Sequence, residues 1–256
     1  MKYWDCFLFN GEKECLQIRA EELKPLNVHH VLVDSRYSFT GRGQKIPFLE
    51  MTDREEFYQY DIQEWVVDTL PIVGSAWNNE INQRNEILIA LKELGAKDED
   101  IVIISDADEI PSLKAIQSYS PEMGLTSLKM DNFWYNFNCL TERQSWLPVR
   151  IMTYEYLKDT TPNNVRISGY NYAIDNGGWH FSYLGDADFI IKKLESFSHQ
   201  EYNKPEYKDP ETILKKIRSG ESLWGDAKFK FIPIDETFPK YLYENQNKFR
   251  SLIGKV

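Results

Sequence analysis

Asp106 and Asp108 lie in the segment Ile101-Val102-Ile103-Ile104-Ser105-Asp106-Ala107-Asp108-Glu109-Ile110-Pro111, where a short apolar run leads into an Asp-x-Asp pair. Such a run reads as a buried strand, and acids at its end stand at the carboxyl edge of a sheet, where open α/β folds hold ligands. In an extended segment, side chains two positions apart point the same way. The spacing therefore predicts that both carboxylates face one ligand. Carboxylate oxygens are hard donors for Mg2+ or Mn2+, and such an ion bridges the phosphates of a nucleotide. The bland alternative is a solvated acidic turn, with Pro111 starting the next helix. Further along, Gly177-Gly178 precede Trp179-His180, and paired glycines let a backbone turn sharply and approach a ligand closely. His180 is the expected third metal ligand, because imidazole suits Mn2+; His199 competes with it, and a satisfied core histidine is the alternative. His29-His30, inside a strand pattern, read as structural.

These groups need a scaffold. Strand patterns at 3–9, 28–34, 60–67 and 101–105 alternate with helix patterns at 14–23 and 76–94. In the second helix Trp77, Ile81, Leu88 and Leu91 approximate one apolar face, and Gly95 stands just past its end. Strands separated by helices predict an α/β fold with a mixed, mainly parallel sheet flanked by helices. After Pro121 the expected strands are 125–130, 133–137 and 150–154, with helices at 186–197 and 210–218. No linker rich in Pro, Gly or Ser divides the chain, so a single domain over 1–256 is expected.

Composition removes several function classes. The 256 residues carry 30 Lys plus Arg against 40 Asp plus Glu, a formal charge of −10, the wrong sign for a nucleic-acid binder. A hydrophobic content of 42% with 13 Gly and 11 Pro excludes disorder. No apolar run approaches the roughly 18 residues of a membrane span, and the start has no signal-peptide pattern. Cys6, Cys15 and Cys139 show no zinc or redox spacing and read as buried thiols. A cytoplasmic, reduced protein is the expectation. Phe, Tyr and Trp make up 14% of the chain, enough for a large core and a set of rings that could stack on sugars.

Two enzyme classes place Asp-x-Asp after an apolar strand. Haloacid-dehalogenase-like phosphotransferases phosphorylate the first Asp, but need a later Gly-Asp-x-x-x-Asp pair; here Gly185-Asp186 is followed by Ile190. Nucleotide-sugar transferases of GT-A architecture carry the motif in mid-chain, as here. A non-catalytic carbohydrate-binding protein is a third reading.

Ordered blocks then resemble one family. They are Phe7-Leu8-Phe9-Asn10 with Glu12, Leu16, Ile18 and Arg19; Thr40-Gly41 with Lys45; Trp77 with Glu80, Arg84 and Asn85; the 106–111 segment; Phe133-Trp134-Tyr135-Asn136-Phe137; Gly177 to Tyr183; and Ser196-Phe197-Ser198-His199-Gln200-Glu201. Together they resemble the family-17 glycosyltransferases, which include the enzyme adding the bisecting N-acetylglucosamine to N-glycans. Asp34 stands where that family usually has Glu. The chain looks like the catalytic domain alone, without the membrane anchor and stem of animal members.

The resemblance implies a GT-A fold and inverting, metal-dependent transfer of N-acetylglucosamine from its UDP donor to a glycan hydroxyl. The donor half would be 1–120 and the acceptor half 121–256. Arg84, four residues after Glu80, either forms an ordinary helical salt bridge or approaches the diphosphate. Glu12, Arg19 and Asp34 frame the nucleotide pocket; for Glu12 and Arg19 the alternative is a tie from the first strand's exit to its helix. The 40–45 loop with Lys45 is either a substrate loop or a plain connection. Asp186 ranks first as general base, ahead of Asp131, Asp188 and Glu201, with helix capping as its alternative role. Trp134, Tyr135 and Trp179 are the expected sugar-facing rings, in a region that also holds Phe137 and Trp146.

Overall fold

The computed structural model describes residues 1–41, 44–142 and 145–256. Arg42 and Gly43, at the tip of the expected 40–45 loop, lie outside the described residues. The first half is built from strands β1 (Tyr3–Leu8), β2 (His29–Ser35), β3 (Ile62–Val67) and β4 (Ile101–Asp106) and helices α1 (Lys13–Leu23) and α2 (Ala76–Glu93). The neighbouring pairs β4–β1, β1–β2 and β2–β3 all run parallel. Unbroken apolar runs suit strands covered on both faces. Trp4, Cys6, Val31, Val33, Val102 and Ile104 pack against Ile87, Ala90 and Leu91 of α2. The alternate residues face the other way: Phe7 and Leu32 meet Leu16 of α1, and Ile101 and Ile103 meet Leu23.

The second half extends the same sheet. It contains β5 (Glu109–Pro111), α3 (Leu113–Ser118), β6 (Thr126–Trp134), β7 (Cys139–Thr141), β8 (Arg150–Thr153), α4 (Tyr154–Lys158), α5 (Pro162–Ile167), β9 (Tyr172–Ser182), α6 (Ala187–Ser196), α7 (Pro210–Ser219), β10 (Phe229–Phe231) and α8 (Lys240–Glu244). The strand order is β10-β7-β6-β8-β4-β1-β2-β3, with β9 pairing β6 and β5. The fold is α/β, one mixed sheet with flanking helices.

Three local expectations need correction. The strands expected at 125–130 and 133–137 merge into β6, which runs through Asp131 and Asn132, ends at Trp134 short of 135–137, and bulges against β9 between Leu128 and Met130. The long strand β9 was hidden by its glycines, which are there for space. A Cβ on Gly177 would lie 2.6 Å from the Lys129 nitrogen, and one on Gly178, whose φ is +140°, 2.1 Å from the Ile110 carbonyl oxygen. Pro111 ends β5, and the following helix is capped by Ser112, which accepts from the Ala115 N–H.

The face of α2 also differs from expectation. Trp77 is 45% exposed, and the buried side consists of Ala76, Asn79, Gln83, Arg84, Ile87, Ala90 and Leu91. The first half of this helix overhangs the carboxyl edge of the sheet, where backbone ends need partners. Asn79 donates to the Phe39 and Ile72 carbonyls and Gln83 to that of Val33. All three cysteines are buried and free. Among the described residues, no helix is long and apolar enough to cross a membrane.

Candidate functional site

Strand β4 delivers the acidic pair to the carboxyl edge. Alternation along β4 puts Val102, Ile104 and Asp106 on the α2 side. Asp106 Oδ1 therefore meets Arg84 Nη2 at 3.0 Å, while Oδ2 meets Nη2 of Arg166, on α5, at 2.6 Å. Arg84 also holds Glu80 at 2.7 Å, so the helical salt bridge is formed by the same guanidinium that holds Asp106. Burial pushes the Asp106 carboxyl up, but the guanidinium groups of Arg166 and Arg84 overcome it and leave it well below the usual range.

After Asp106 the chain turns, and Asp108 leaves toward the opposite helix layer. Its Oδ2 lies 3.0 Å from Lys193 Nζ of α6. The shared orientation predicted for the two carboxylates is thus corrected: residues 107–108 form a turn rather than extended strand. Glu109, fully buried, receives Arg166 through both oxygens at 2.7 and 2.8 Å and accepts the Asp106 N–H at 2.7 Å. The turn is locked from within.

Arg19 reinforces it from behind. Its guanidinium, fully buried, bonds Asp5 and donates to the carbonyls of Asp106 and Glu109 at 3.0 and 2.8 Å. Arg19 therefore holds the acidic turn and does not line a nucleotide pocket, because its donors are spent inside the core. Burial raises the Asp5 carboxyl, but Arg19 and His30 bring it down to about 2. His30 is structural, as expected, with Nδ1 2.7 Å from Asp5.

A cavity of about 360 Å³ opens beside Asp108. Glu12, Cys15, Phe181, Asp186 and Lys193 are among its lining residues. Burial raises the Glu12 carboxyl. Burial lowers the Lys193 amine, but Asp108 and Glu12 reverse this and leave it well above its usual value. Asp186 lines this cavity, and its Oδ1 caps α6 by accepting from the Phe189 N–H at 2.9 Å, the alternative role expected for it.

His180 Nε2 lies 3.8 Å from Asp108 Oδ1, and its ring is stacked on Trp146 at 4.2 Å. Burial lowers the His180 pKa, which favours the neutral ring, the form that ligates metals. Of the three expected metal ligands, Asp108 and His180 face each other and Asp106 does not, because its two oxygens are held by arginines. Among the described residues, no group of three or more His, Cys, Asp or Glu is arranged to hold an ion. Asp108 and His180 are the two expected donors left within reach of one ion.

Other expected site residues fall elsewhere. Asp34 is buried at the end of β2 and pairs with Lys45, whose Nζ lies 2.9 Å from Oδ1 and 3.0 Å from the Phe9 carbonyl. Lys45 therefore ties a connecting loop to β1 and β2 and is not among the residues lining the cavity beside Asp108. Tyr135 is fully buried, with its hydroxyl donating to the Glu221 carbonyl at 3.0 Å. Trp134 is half-buried against Tyr183 and Phe229. Trp179, next to His180 in β9, points to the other side of the strand and donates to the Thr237 carbonyl. None of these rings lines the cavity. His199 bonds Glu201 at 2.6 Å and packs edge-on against Trp77.

The profile of glycosyltransferase family 17 matches residues 1–255. The chain belongs to glycosyltransferase family 17. No curated protein matches it by sequence. Among solved structures, this glycosyltransferase is similar to a 4-diphosphocytidyl-2C-methyl-D-erythritol synthase at 12% identity, covering 76% of this chain and 99% of that one, TM-score 0.36. It is also similar to an inositol-1-phosphate CTP transferase from T. maritima at 12% identity, covering 87% and 98%, TM-score 0.37. Overlaps this loose carry no argument about its chemistry.

Two residues of the glycosyltransferase's site, Arg166 and Lys193, fall outside the sequence blocks. Arg166 sits in a short helix without periodicity, 60 positions from Asp106. Trp146, named from the sequence only as a ring of the acceptor region, is bridged to Met130 of β6. Lys193 did leave a trace: it follows Ile190 by three positions in α6, beside the buried stripe of Ala187, Ile190 and Leu194. A lysine on an apolar stripe invites the search for a buried carboxylate.

Proposed function

We propose that this family 17 enzyme moves N-acetylglucosamine from UDP-N-acetylglucosamine to a glycan hydroxyl, with inversion, on a GT-A-like scaffold. The observation that carries this reading is Asp108, gripped by Lys193 at the wall of a cavity it shares with Glu12 and Asp186. Its volume lies within the range of small-molecule sites.

Charge supports a divalent cation. Among the described residues, the carboxylates of Glu12, Glu80, Asp106, Asp108 and Glu109 share the cations Arg84, Arg166 and Lys193. That acid excess repels a diphosphate unless positive charge arrives with it. Asp108 and His180 would hold Mn2+ or Mg2+, which when bound supplies Lewis-acid stabilisation of charge on the departing UDP. Arg84 and Arg166 hold Asp106 and keep the turn rigid, so Asp108 is positioned before substrate arrives. Asp186, with Oδ1 engaged in the cap, offers Oδ2 to the acceptor's hydroxyl proton. The acidic lining also suits a sugar ring that gains positive charge in the transition state.

The test is a UDP-sugar binding and turnover panel with Mn2+, Mg2+ or EDTA, on wild type and Asp108→Ala. Metal-dependent UDP-N-acetylglucosamine turnover that Asp108→Ala abolishes is expected. Turnover indifferent to both metal removal and the substitution would overturn the reading. Phosphate release through an aspartyl-phosphate would point to a phosphotransferase, and glycan binding without nucleotide binding to a carbohydrate-binding protein.

A further inference from the structure

Among the described residues, three buried polar atoms at or beside the site have no hydrogen-bond partner: Arg84 Nε, whose guanidinium is already engaged through its other nitrogens, and the facing pair His180 Nδ1 and Asn132 Oδ1. His180 and Asn132 stand opposite each other in the parallel β6–β9 ladder, so both side chains leave the sheet on the same face. His180 is 6% exposed and Asn132 9%. A buried polar group left unpaired is costly, and two such groups on facing residues call for a common explanation. They are chemically complementary, since a neutral imidazole can donate from Nδ1 and an amide oxygen accepts. Trp146 stacks on the ring with an interplanar angle of 27°, and the indole is itself hydrogen-bonded to Glu109. The ring plane is therefore set by Trp146, and what remains to be decided is which nitrogen carries the proton.

We propose that Asn132 is a positioning residue for His180. Its side-chain oxygen accepts the Nδ1 proton through one buried water, leaving Nε2 unprotonated and turned toward Asp108 Oδ1. A buried water needs two to four polar partners, and this pair supplies two. An imidazole ligates a metal through its unprotonated nitrogen, and the hydrogen bond made by the other nitrogen selects which one that is. The tautomer is argued from the facing residues, against an Asp108 carboxylate 3.8 Å from Nε2 that Lys193 already pairs; its use in holding an ion rests on the function proposed above.

The experiment reads the tautomer in metal-free protein. Long-range 1H–15N correlation of the 15N-histidine-labelled chain, with the His180 signals assigned by their loss in His180→Gln, reports which nitrogen is protonated. The Nδ1–H form is expected in wild type and in Asn132→Asp, which keeps an oxygen acceptor. Asn132→Leu is expected to move His180 to the Nε2–H form or a mixture, and to weaken Mn2+ binding by calorimetry about 10- to 100-fold. An Nε2–H tautomer in wild type overturns the proposal, and that spectrum needs no variant to fold. An unchanged tautomer in folded Asn132→Leu overturns it too. The expected tautomers without measurable Mn2+ affinity would support the Asn132 link while removing the metal from the proposed function.

Discussion

Lys193 Nζ lies 3.0 Å from Asp108 Oδ2, joining helix α6 of the second half to the turn that ends the central strand β4. Both groups are largely buried, so each depends on the other for compensation. Removing one partner of such a pair costs about 3–5 kcal/mol, because the survivor stays charged and desolvated. Lys193→Met is expected to lower stability by about 3 kcal/mol in urea unfolding. Adding Asp108→Asn to it is expected to recover much of the stability and none of the sugar transfer.

Asp106 and Glu109 share Arg166, which reaches both within 2.6–2.8 Å. Lysine is a point charge and cannot reproduce that fork. Arg166→Lys is expected to retain part of the stability that Arg166→Ala loses, and both variants should bind UDP more weakly in calorimetry because the acidic turn loosens. Unchanged UDP affinity in a destabilised Arg166→Ala would show that the turn's rigidity does not serve the nucleotide.

Asp5 gives the fold an acid-sensitive link. Its folded pKa, about 2, lies below the ordinary value of 3.8, so its ionised form stabilises the native state. That contribution, about 2 kcal/mol, is complete above the unfolded pKa and is lost as pH falls from about 4 toward 2. Asp5→Asn is expected to lower the melting temperature at pH 7 and to flatten its fall over that window, as followed by circular dichroism.

Glu12 has the opposite sign. Burial raises its carboxyl above the ordinary value of 4.5, so ionising it in the folded state costs stability at neutral pH. Glu12→Gln is expected to raise the melting temperature and reduce transfer, the trade found where a site holds a destabilising charge. Asp186→Asn is expected to lower the transfer kcat about 10²- to 10⁴-fold with UDP binding intact. Transfer kinetics beside UDP calorimetry separate the two.

Gly178→Ala is expected to destabilise by about 2 kcal/mol or more, because φ is +140° and the added Cβ would press on the Ile110 carbonyl. The substitution strikes the β5–β9 pairing that sets Glu109 opposite His180. Loss of Trp146 stacking should appear as an altered His180 signal.

Much of this architecture is written in local pattern. The buried strands β1, β2 and β4 and the helices α1, α6 and α7 follow from apolar runs, amphipathic spacing and caps, so the acidic pair's place at the end of a central strand was legible. Burial of the three cysteines was legible for the same reason. The faces of α2 and the extent of β9 were not, because polar and glycine positions there answer to backbone ends and neighbouring strands rather than to the helix or strand itself.

By itself, then, the sequence determined the chemistry available at the carboxyl edge: two aspartates after an apolar strand, a histidine after paired glycines, and the family to which these blocks belong. The direction of each side chain was left to the tertiary structure. One turn at residues 107–108 sends Asp106 to Arg84 and Arg166 and Asp108 to Lys193 and His180. The cations that hold them come from 22, 60 and 85 positions away. Charge pairing over such separations depends on which strands lie side by side, and no local spacing encodes that.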